Sequence, residues 1–217
     1  MKEIDEILSL GLCDGITTNP SLMAKSGVKD IQKMIHDICQ YDIYDVSVEL
    51  IDPFLSIDKL VDEATEYYMC CMEKVVVKVP MIDTRTSELI NALKRKHIPV
   101  NLTCLMSAYQ AIIGLESEPY YISLFYRRMI DFKNFDYAKE QIRITAEYLQ
   151  RFGSGDRPLL ICGSIRSPED VQVCMDSGAD IVTVPYKVLN EMYKHPKTEE
   201  AVKEFTEKWK TALKPVV

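Results

Sequence analysis

Short apolar runs alternate along the chain with amphipathic stretches of helical length, and this alternation restricts the fold more than any other feature of the sequence. The strand-like runs are Gly15–Thr17, Tyr44–Leu50, Val75–Val79, Pro99–Thr103, Tyr120–Phe125, Pro158–Cys162 and Asp180–Val184. Between them, Ile57, Leu60, Val61, Ala64, Tyr68 and Cys71 follow the 3.6-residue period behind Ser56, a residue type that caps helices. Leu89, Ile90 and Leu93 predict a helix running to Lys96. Tyr137, Ile144, Ala146, Tyr148 and Leu149 predict another, closed by Gly153. Ser167-Pro168-Glu169-Asp170 reads as a helix start, with serine as the cap, proline in the first position and acidic residues in the first turn. Residues 199–213 predict a terminal helix carrying Trp209.

Alternation of this kind predicts an α/β protein with a parallel sheet, because a helix must return the chain before the next strand can pair in the same direction. About eight such units close a (β/α)8 barrel of the TIM type. The alternative is a doubly wound open sheet, which would favour a glycine-rich first turn. No GxGxxG follows any strand, and Gly153-Ser154-Gly155 sits after a helix and before a strand, as a connecting loop. No linker or low-complexity segment divides the chain, so residues 1–217 are expected to form a single barrel domain.

Alternation within the strands also favours the barrel. Side chains point to opposite faces along a strand. Ser47 and Glu49 therefore share a side, as do Val76 and Lys78, Asn101 and Thr103, and Tyr121, Ser123 and Phe125. The other side of each strand is apolar and suited to lie under helices. The polar residues collect toward the C-terminal ends, where barrel enzymes place their active sites.

Charge and composition exclude several functions. With 26 basic and 33 acidic residues, the net charge is 26 − 33 = −7, which argues against a general nucleic-acid binder. A hydrophobic share of 47% beside 27% charged residues fits a globular protein and not a disordered one. No apolar run reaches bilayer length, and residues 1–12 are acidic and amphipathic without a signal-peptide layout, so a cytoplasmic protein with no membrane partner is expected. Cys13, Cys39, Cys70, Cys71, Cys104, Cys162 and Cys174 include no CxxC pair and read as free thiols. His36, His97 and His195 are scattered, and no metal site is expected.

Two places carry chemistry. Lys78 lies within the apolar strand VVVKVP. A solvated edge-strand lysine is the plain reading. The chemical reading is a desolvated amine, made nucleophilic because burial disfavours its charged form. Gly163-Ser164-Ile165-Arg166 lies between a strand and a capped helix. An ordinary loop with a solvated arginine is the plain reading. Backbone N–H groups, a hydroxyl, an arginine and a helix N-terminus together suit an anion.

These residues carry a resemblance. Residues 14–22, DGITTNPSL, residues 75–80, VVVKVP, residues 101–110, NLTCLMSAYQ, and residues 178–189, GADIVTVPYKVL, are similar in order to motifs of the transaldolase family, in its small single-domain branch with fructose-6-phosphate aldolase. The resemblance implies that Lys78 forms a Schiff base and that Glu49 acts with a water held by Thr103 in proton transfer. It implies that Thr17, Asn19, Asn101 and Phe125 line the sugar site, where strand parity also puts Ser123, and that Arg128, Ser164 and Arg166 take the substrate phosphate. Glu49 and Phe125 favour transaldolases over the aldolases, which carry Gln and Tyr there. The implied reaction moves a dihydroxyacetone unit between sugar phosphates without a metal or organic cofactor. The resemblance also implies a homo-oligomer, a pentamer or decamer, with the helix around Trp209 reaching a neighbour.

Two departures qualify the match. Arg127-Arg128-Met129-Ile130-Asp131 stands where the family reads G-R-[IL]-D-D, so Ile130 replaces an acid, Arg127 adds charge, and a sulfonate could replace the phosphate. The family also begins with a strand ending in an Asp that assists proton transfer. Here residues 1–10 already read as the helix that follows it, so the first barrel strand is missing and the chain is short by about eight residues. Asp5 does not take that Asp's role; turnover at family-typical rates would mean that another carboxylate has replaced it, with Asp14 the first candidate. A transaldolase is the leading function. The alternatives are a fructose-6-phosphate aldolase, a transaldolase for sulfonated sugars, and a catalytically weak or silent barrel that binds sugar phosphates.

Overall fold

The computed structural model describes residues 2–151 and 157–212. Gly153, the 153–155 loop and Leu213, each used in the sequence reading, lie outside the described residues. Seven strands form one sheet in chain order: β1 (Gly15–Thr17), β2 (Asp45–Glu49), β3 (Val75–Pro80), β4 (Val100–Leu105), β5 (Tyr121–Phe125), β6 (Leu159–Gly163) and β7 (Ile181–Val182). Every neighbouring pair is parallel. The helices are α1 (Lys2–Ser9), α2 (Pro20–Lys25), α3 (Ile31–Cys39), α4 (Ile57–Cys70), α5 (Arg85–Arg95), α6 (Ala108–Leu115), α7 (Tyr126–Phe132), α8 (Phe135–Gln150), α9 (Pro168–Asp176), α10 (Tyr186–Met192) and α11 (Pro196–Ala212).

The sheet curls until its two edges approach. The hydroxyls of Thr17, on β1, and Thr183, just past β7, are 2.7 Å apart. Among the described residues no strand joins β1 to β7, so the fold is TIM-barrel-like with one strand missing. As expected, residues 2–9 form a helix. It lies along the seam, with Glu3, Ile4 and Ile7 facing a cavity between the edges. Asp5 is occupied elsewhere, accepting a hydrogen bond from Tyr41, just past the end of α3.

Two separate cores follow from the alternation of side chains. Outward residues such as Val46, Val77, Leu102, Ile122 and Leu160 are fully buried against Leu60, Leu93 and Ile142 of the surrounding helices. Each such side chain contributes roughly 1.5–3 kcal/mol, so this layer carries most of the stability. Inside the sheet, Val76, Tyr121 and Ile161 form a small apolar floor with Ile181 packed on it. The inward polar residues stand above that floor.

Local signals were partly legible. Ser167 starts α9 as predicted, and the Asp170 carboxylate reaches back to its N–H at 3.1 Å. Ser56 occupies the cap position of α4 but makes no side-chain bond there. The bonded caps are Asn19, Asp30, Ser107 and Asn134, each accepting from an N–H three residues on. β4 runs past its expected end and carries a bulge, where Cys104 adopts φ 61° between the pairs Leu102–Ile122 and Leu105–Leu124. No helix of the described residues is long and apolar enough to cross a membrane.

Gly178 ends α9 with φ +99°, donating to Met175 O while Ala179 donates to Cys174 O. This is the backbone stop in which a left-handed residue satisfies the last carbonyls. A Cβ there would stand 2.7 Å from Ala146 Cβ on α8, an atom fixed to its helix. Gly178→Ala therefore combines left-handed strain with overpacking and should cost about 2–4 kcal/mol. Urea denaturation should show this as a lower midpoint with an unchanged slope.

Candidate active site

Register brings the chemistry together. Glu49 pairs with Lys78, and Lys78 with Asn101, so β2, β3 and β4 present three inward polar side chains in one row. Lys78 and Glu49 are 5% and 8% exposed, and their Nζ and Oε2 are 3.0 Å apart. Lys78 Nζ also donates to the carbonyl of Thr18 at 3.0 Å. The expected burial of the amine is present, but the amine is not isolated. A carboxylate and a carbonyl compensate the lost solvation, as a buried charge requires.

The remaining inward residues fall into place around this pair. Asn101 Nδ2 donates to Ser47 Oγ at 3.1 Å, and Ser123 Oγ donates to Asn101 Oδ1 at 2.6 Å. All three are buried, so the amide is clamped from both sides. Thr103 is fully buried, and among the described residues neither its hydroxyl nor Glu49 Oε2 makes an aligned hydrogen bond. Glu49 Oε2 keeps its ion pair with Lys78, so the Thr103 hydroxyl is the atom whose burial is costly unless a ligand or solvent engages it. Burial first, and then the charge of Glu49, push the neighbouring Cys104 thiol up to about 11, so it stays protonated at neutral pH.

Thr17 and Asn19 flank Thr18, but neither is wholly free. Thr17 bonds to Thr183, and Asn19 Oδ1 accepts from Leu22 N–H at 2.9 Å as the cap of α2. Phe125 ends β5 half-buried beside Gly163. A Cβ on Gly163 would meet the Phe125 ring at 3.6 Å and the Thr183 methyl at 3.3 Å, so glycine permits that close packing.

The arginine cluster differs from expectation. Arg166 is not an open cation, because its guanidinium grips Asp131 through both nitrogens, at 3.0 and 2.5 Å. Arg127 adds no free charge. It binds Asp170 at 2.7 Å through Nε and through Nη2. That compensation answers one of the two grounds for a sulfonate, the added charge; Ile130 still stands where the resemblance implies an acid. Arg128 is exposed and makes no ion pair among the described residues. Ser164, half-buried, sits at φ 62° at the end of β6. The Arg166 hydrogen bonds hold the Asp131 carboxyl below its ordinary value, and the charges of Arg128 and Arg127 add to this. The three arginines therefore crowd one carboxylate.

Asp14 is also corrected. It precedes β1, and its carbonyl accepts from Tyr44 N–H at the N-terminal end of the sheet. Thr18, under Lys78, is four residues on, about 13 Å of extended chain. Asp14 therefore stands at the wrong end to replace a proton donor. It lines instead a cavity of about 810 Å³ with Gly15, Asp45, Val76 and Tyr121. Neither Lys78 nor Glu49 lines that cavity, although Thr17 and Ser47 do. Within it, Tyr121 donates to Asp45, whose carboxyl is raised by burial against that bond.

Sequence reasoning missed Thr18, which acts through its backbone, and Thr183, whose partner lies 166 residues away. Ser47 was detectable, since its parity matches Glu49. Among the described residues no group of three His, Cys, Asp or Glu side chains could hold a metal ion.

Asp170, 3% exposed, anchors the loop before α9. It accepts from Arg166 N–H at 2.8 Å as well as from Arg127 and Ser167. Burial alone would raise its carboxyl, and these bonds outweigh burial and hold it below its ordinary 3.8. A depressed folded value stabilises above the unfolded value and is lost as pH falls through the folded one. Asp170→Asn should cost about 2–3 kcal/mol at pH 7. Its deficit against the parent should shrink below pH 3.8 in acid-denaturation curves.

The family described as Transaldolase/Fructose-6-phosphate aldolase matches residues 1–216. Among the similar proteins is a probable transaldolase of Clostridium tetani, 34% identical over 215 residues, which are 99% of this chain and 96% of that one. Probable transaldolases of Methanococcus maripaludis and Bdellovibrio bacteriovorus are also 34% identical. Those alignments cover 98% and 99% of this chain, and 95% of each relative.

Proposed function

The chain belongs to the transaldolase/fructose-6-phosphate aldolase family, and from that premise we propose that it is a Schiff-base transaldolase with Lys78 as the nucleophile. The observation that carries the reading is the buried amine 3.0 Å from a carboxylate on the next strand. An ammonium is not a nucleophile, so the proton must leave before attack. Glu49 Oε2 is in position to take it. The neutral amine then adds to the C2 carbonyl of a ketose phosphate. Glu49 returns the proton to the departing hydroxyl as water leaves and the imine forms.

Cleavage of the C3–C4 bond requires the C4 hydroxyl to lose a proton while the bonding electrons flow into the imine. Glu49, through a water on the unpartnered Thr103 hydroxyl, serves as that base. The aldose departs and a three-carbon enamine remains on Lys78. An acceptor aldehyde reverses the sequence. Asn101, clamped by Ser47 and Ser123, offers a fixed amide to the sugar hydroxyls, with Thr17, Asn19 and Phe125 around it. Transfer is favoured over release of free dihydroxyacetone by Glu49 and Phe125, as the resemblance reads them. Among the described residues Glu49 is the one carboxylate ion-paired with Lys78. A single carboxylate then serves every proton transfer, at an expected cost of about 10²–10⁴ in rate against a site with two. The open seam is the observation that favours the other reading, a weak or silent barrel.

The protein is also proposed to be a homo-oligomer in the cytoplasm. No residue of α11 is buried, and Val202, Phe205 and Trp209 lie exposed on it. A monomeric mass by light scattering would overturn the oligomer.

Borohydride with fructose 6-phosphate should add the mass of a reduced ketose adduct to the chain. Lys78→Met should abolish that mass, and Glu49→Gln should slow its appearance by about 10²–10⁴. An adduct that survives Lys78→Met would reject the nucleophile. No adduct in the parent chain would favour the silent barrel.

The anion site yields a separate expectation. Arg166 is engaged by Asp131, so Arg128 is the cation that meets a phosphate first. Arg128→Ala should raise KM for phosphorylated sugars by about tenfold or more while leaving kcat nearly unchanged, since it removes binding common to ground and transition states. An equal loss on unphosphorylated sugars would count against this assignment.

A further inference from the structure

We propose that Thr183 is a positioning residue, a latch whose hydroxyl holds the two free edges of the sheet together and thereby fixes the Thr18 carbonyl under Lys78. The seam between β1 and β7 is the weakest part of the architecture. β1 has three residues and β7 two, the shortest strands in the sheet, and each is paired on one side only. Asp14 O accepts from Tyr44 N–H, and Thr18 N–H donates to Ser47 O at 2.9 Å. Backbone groups alternate along a strand, so those of Gly15 and Thr17 turn away from β2 toward the seam. Below lies the cavity of about 810 Å³.

Against this opening stands the Thr17–Thr183 hydrogen bond, 2.7 Å between hydroxyl oxygens. Two threonine hydroxyls meet only when their backbones lie well under twice the ~4.8 Å strand spacing. The edges are therefore drawn together where Thr17 and Thr183 stand, one residue before Thr18 and at the boundary of the cavity. Thr183 is well suited to the task. Its side chain is β-branched and stiff at χ1, and its methyl packs on Gly163, where an added Cβ would lie 3.3 Å away. Its backbone is tied to β6 by Thr183 N–H to Cys162 O at 3.0 Å. The bond thus ties β1 to a supported strand.

The consequence runs one residue along the chain. Thr17 precedes Thr18, whose carbonyl accepts from Lys78 Nζ at 3.0 Å. Among the described residues Thr18 is otherwise held only from the β2 side, by its N–H and by its hydroxyl, both donating to Ser47 O. Without the latch, β1 keeps its pairing to β2 but loses its restraint on the seam side, and the carbonyl under Lys78 loses its fixed position. This part rests on Lys78 being the reactive amine.

The test uses Thr183→Val, Thr183→Ser, Thr17→Val and the Thr17→Val/Thr183→Val double variant. Three rates are read: hydrogen exchange of the seam amides, reductive methylation of Lys78 by formaldehyde, and borohydride trapping of fructose 6-phosphate. Thr183→Val should speed seam exchange roughly five- to tenfold while β3–β5 keep their protection. It should raise Lys78 methylation by a similar factor, because one acceptor no longer holds the amine, and it should slow ketose trapping. Thr183→Ser, which keeps the hydroxyl, should stay within about twofold of the parent. The double variant should be no worse than either single, because both remove one bond. Additive effects, or seam exchange unchanged in Thr183→Val, would overturn the latch. Global loss of protection in Thr183→Val moves the same test to Thr17→Val, which breaks the bond from the other side. A parent chain that traps no ketose rejects the transaldolase reading, while exchange and methylation still decide the latch.

Discussion

Glu49 on β2 stands beside Lys78 on β3, and Lys78 beside Asn101 on β4, because parallel strands pair in a register that keeps side chains of one parity on one face. A slip of one residue in β3 would turn Lys78 out under the helices and bring Val77 or Val79 inside. The outer layer of valines and leucines forbids that slip, since it would bury the lysine in an apolar shell with no partner. Register is thus held by the hydrophobic layer outside, and the ion pair inside follows from it. The site is positioned by residues that never touch it.

A sheet of seven parallel strands has two edges, and edges are liabilities. Here α1 lies along the opening, with Ile4 and Leu8 packed on the main core. A pair of hydroxyls draws the edges together at one end. The other end remains a cavity with an apolar floor and the Tyr121–Asp45 bond. Lys78 and Glu49 lie outside that cavity, and Thr17, Ser47 and Thr183 stand at the boundary between the two regions. The chemistry collects where strand ends bring polar residues together, and the void collects where pairing is absent.

The arginine cluster illustrates a second constraint, that positive charge in a confined place is compensated before it is offered to a ligand. Asp170 is nearly sealed from solvent and saturated by Arg127 and two backbone N–H groups, so it acts as part of the loop's scaffold. Asp131 and Arg166 are both half exposed, and such a pair contributes little to stability. An incoming anion could displace Asp131 from Arg166 at small cost, whereas it could not displace Asp170 from Arg127. The two acidic residues divide the arginines into a fixed one and available ones.

Much of this was legible in the sequence. Strand–helix alternation determined a parallel α/β sheet, the count of strands determined an incomplete barrel, and parity placed Glu49, Lys78, Asn101, Thr103 and Ser123 on one inner face. These are local or periodic properties, and hydrophobic burial enforces them wherever the chain folds. The tertiary structure alone decided which inward side chains meet. Thr17 and Thr183 are joined only because the sheet curls, and Thr18 serves Lys78 through a backbone carbonyl that carries no signature of residue type. The partners of Arg127 and Arg166 depend on how α7 and α9 approach each other, so the sequence could supply the charges but not the pairing. Asp14 is the sharpest case. Nearness in sequence to the Thr17–Asn19 segment suggested nearness to Lys78, but an extended chain climbs about 3.3 Å per residue and carries Asp14 to the opposite end of the sheet.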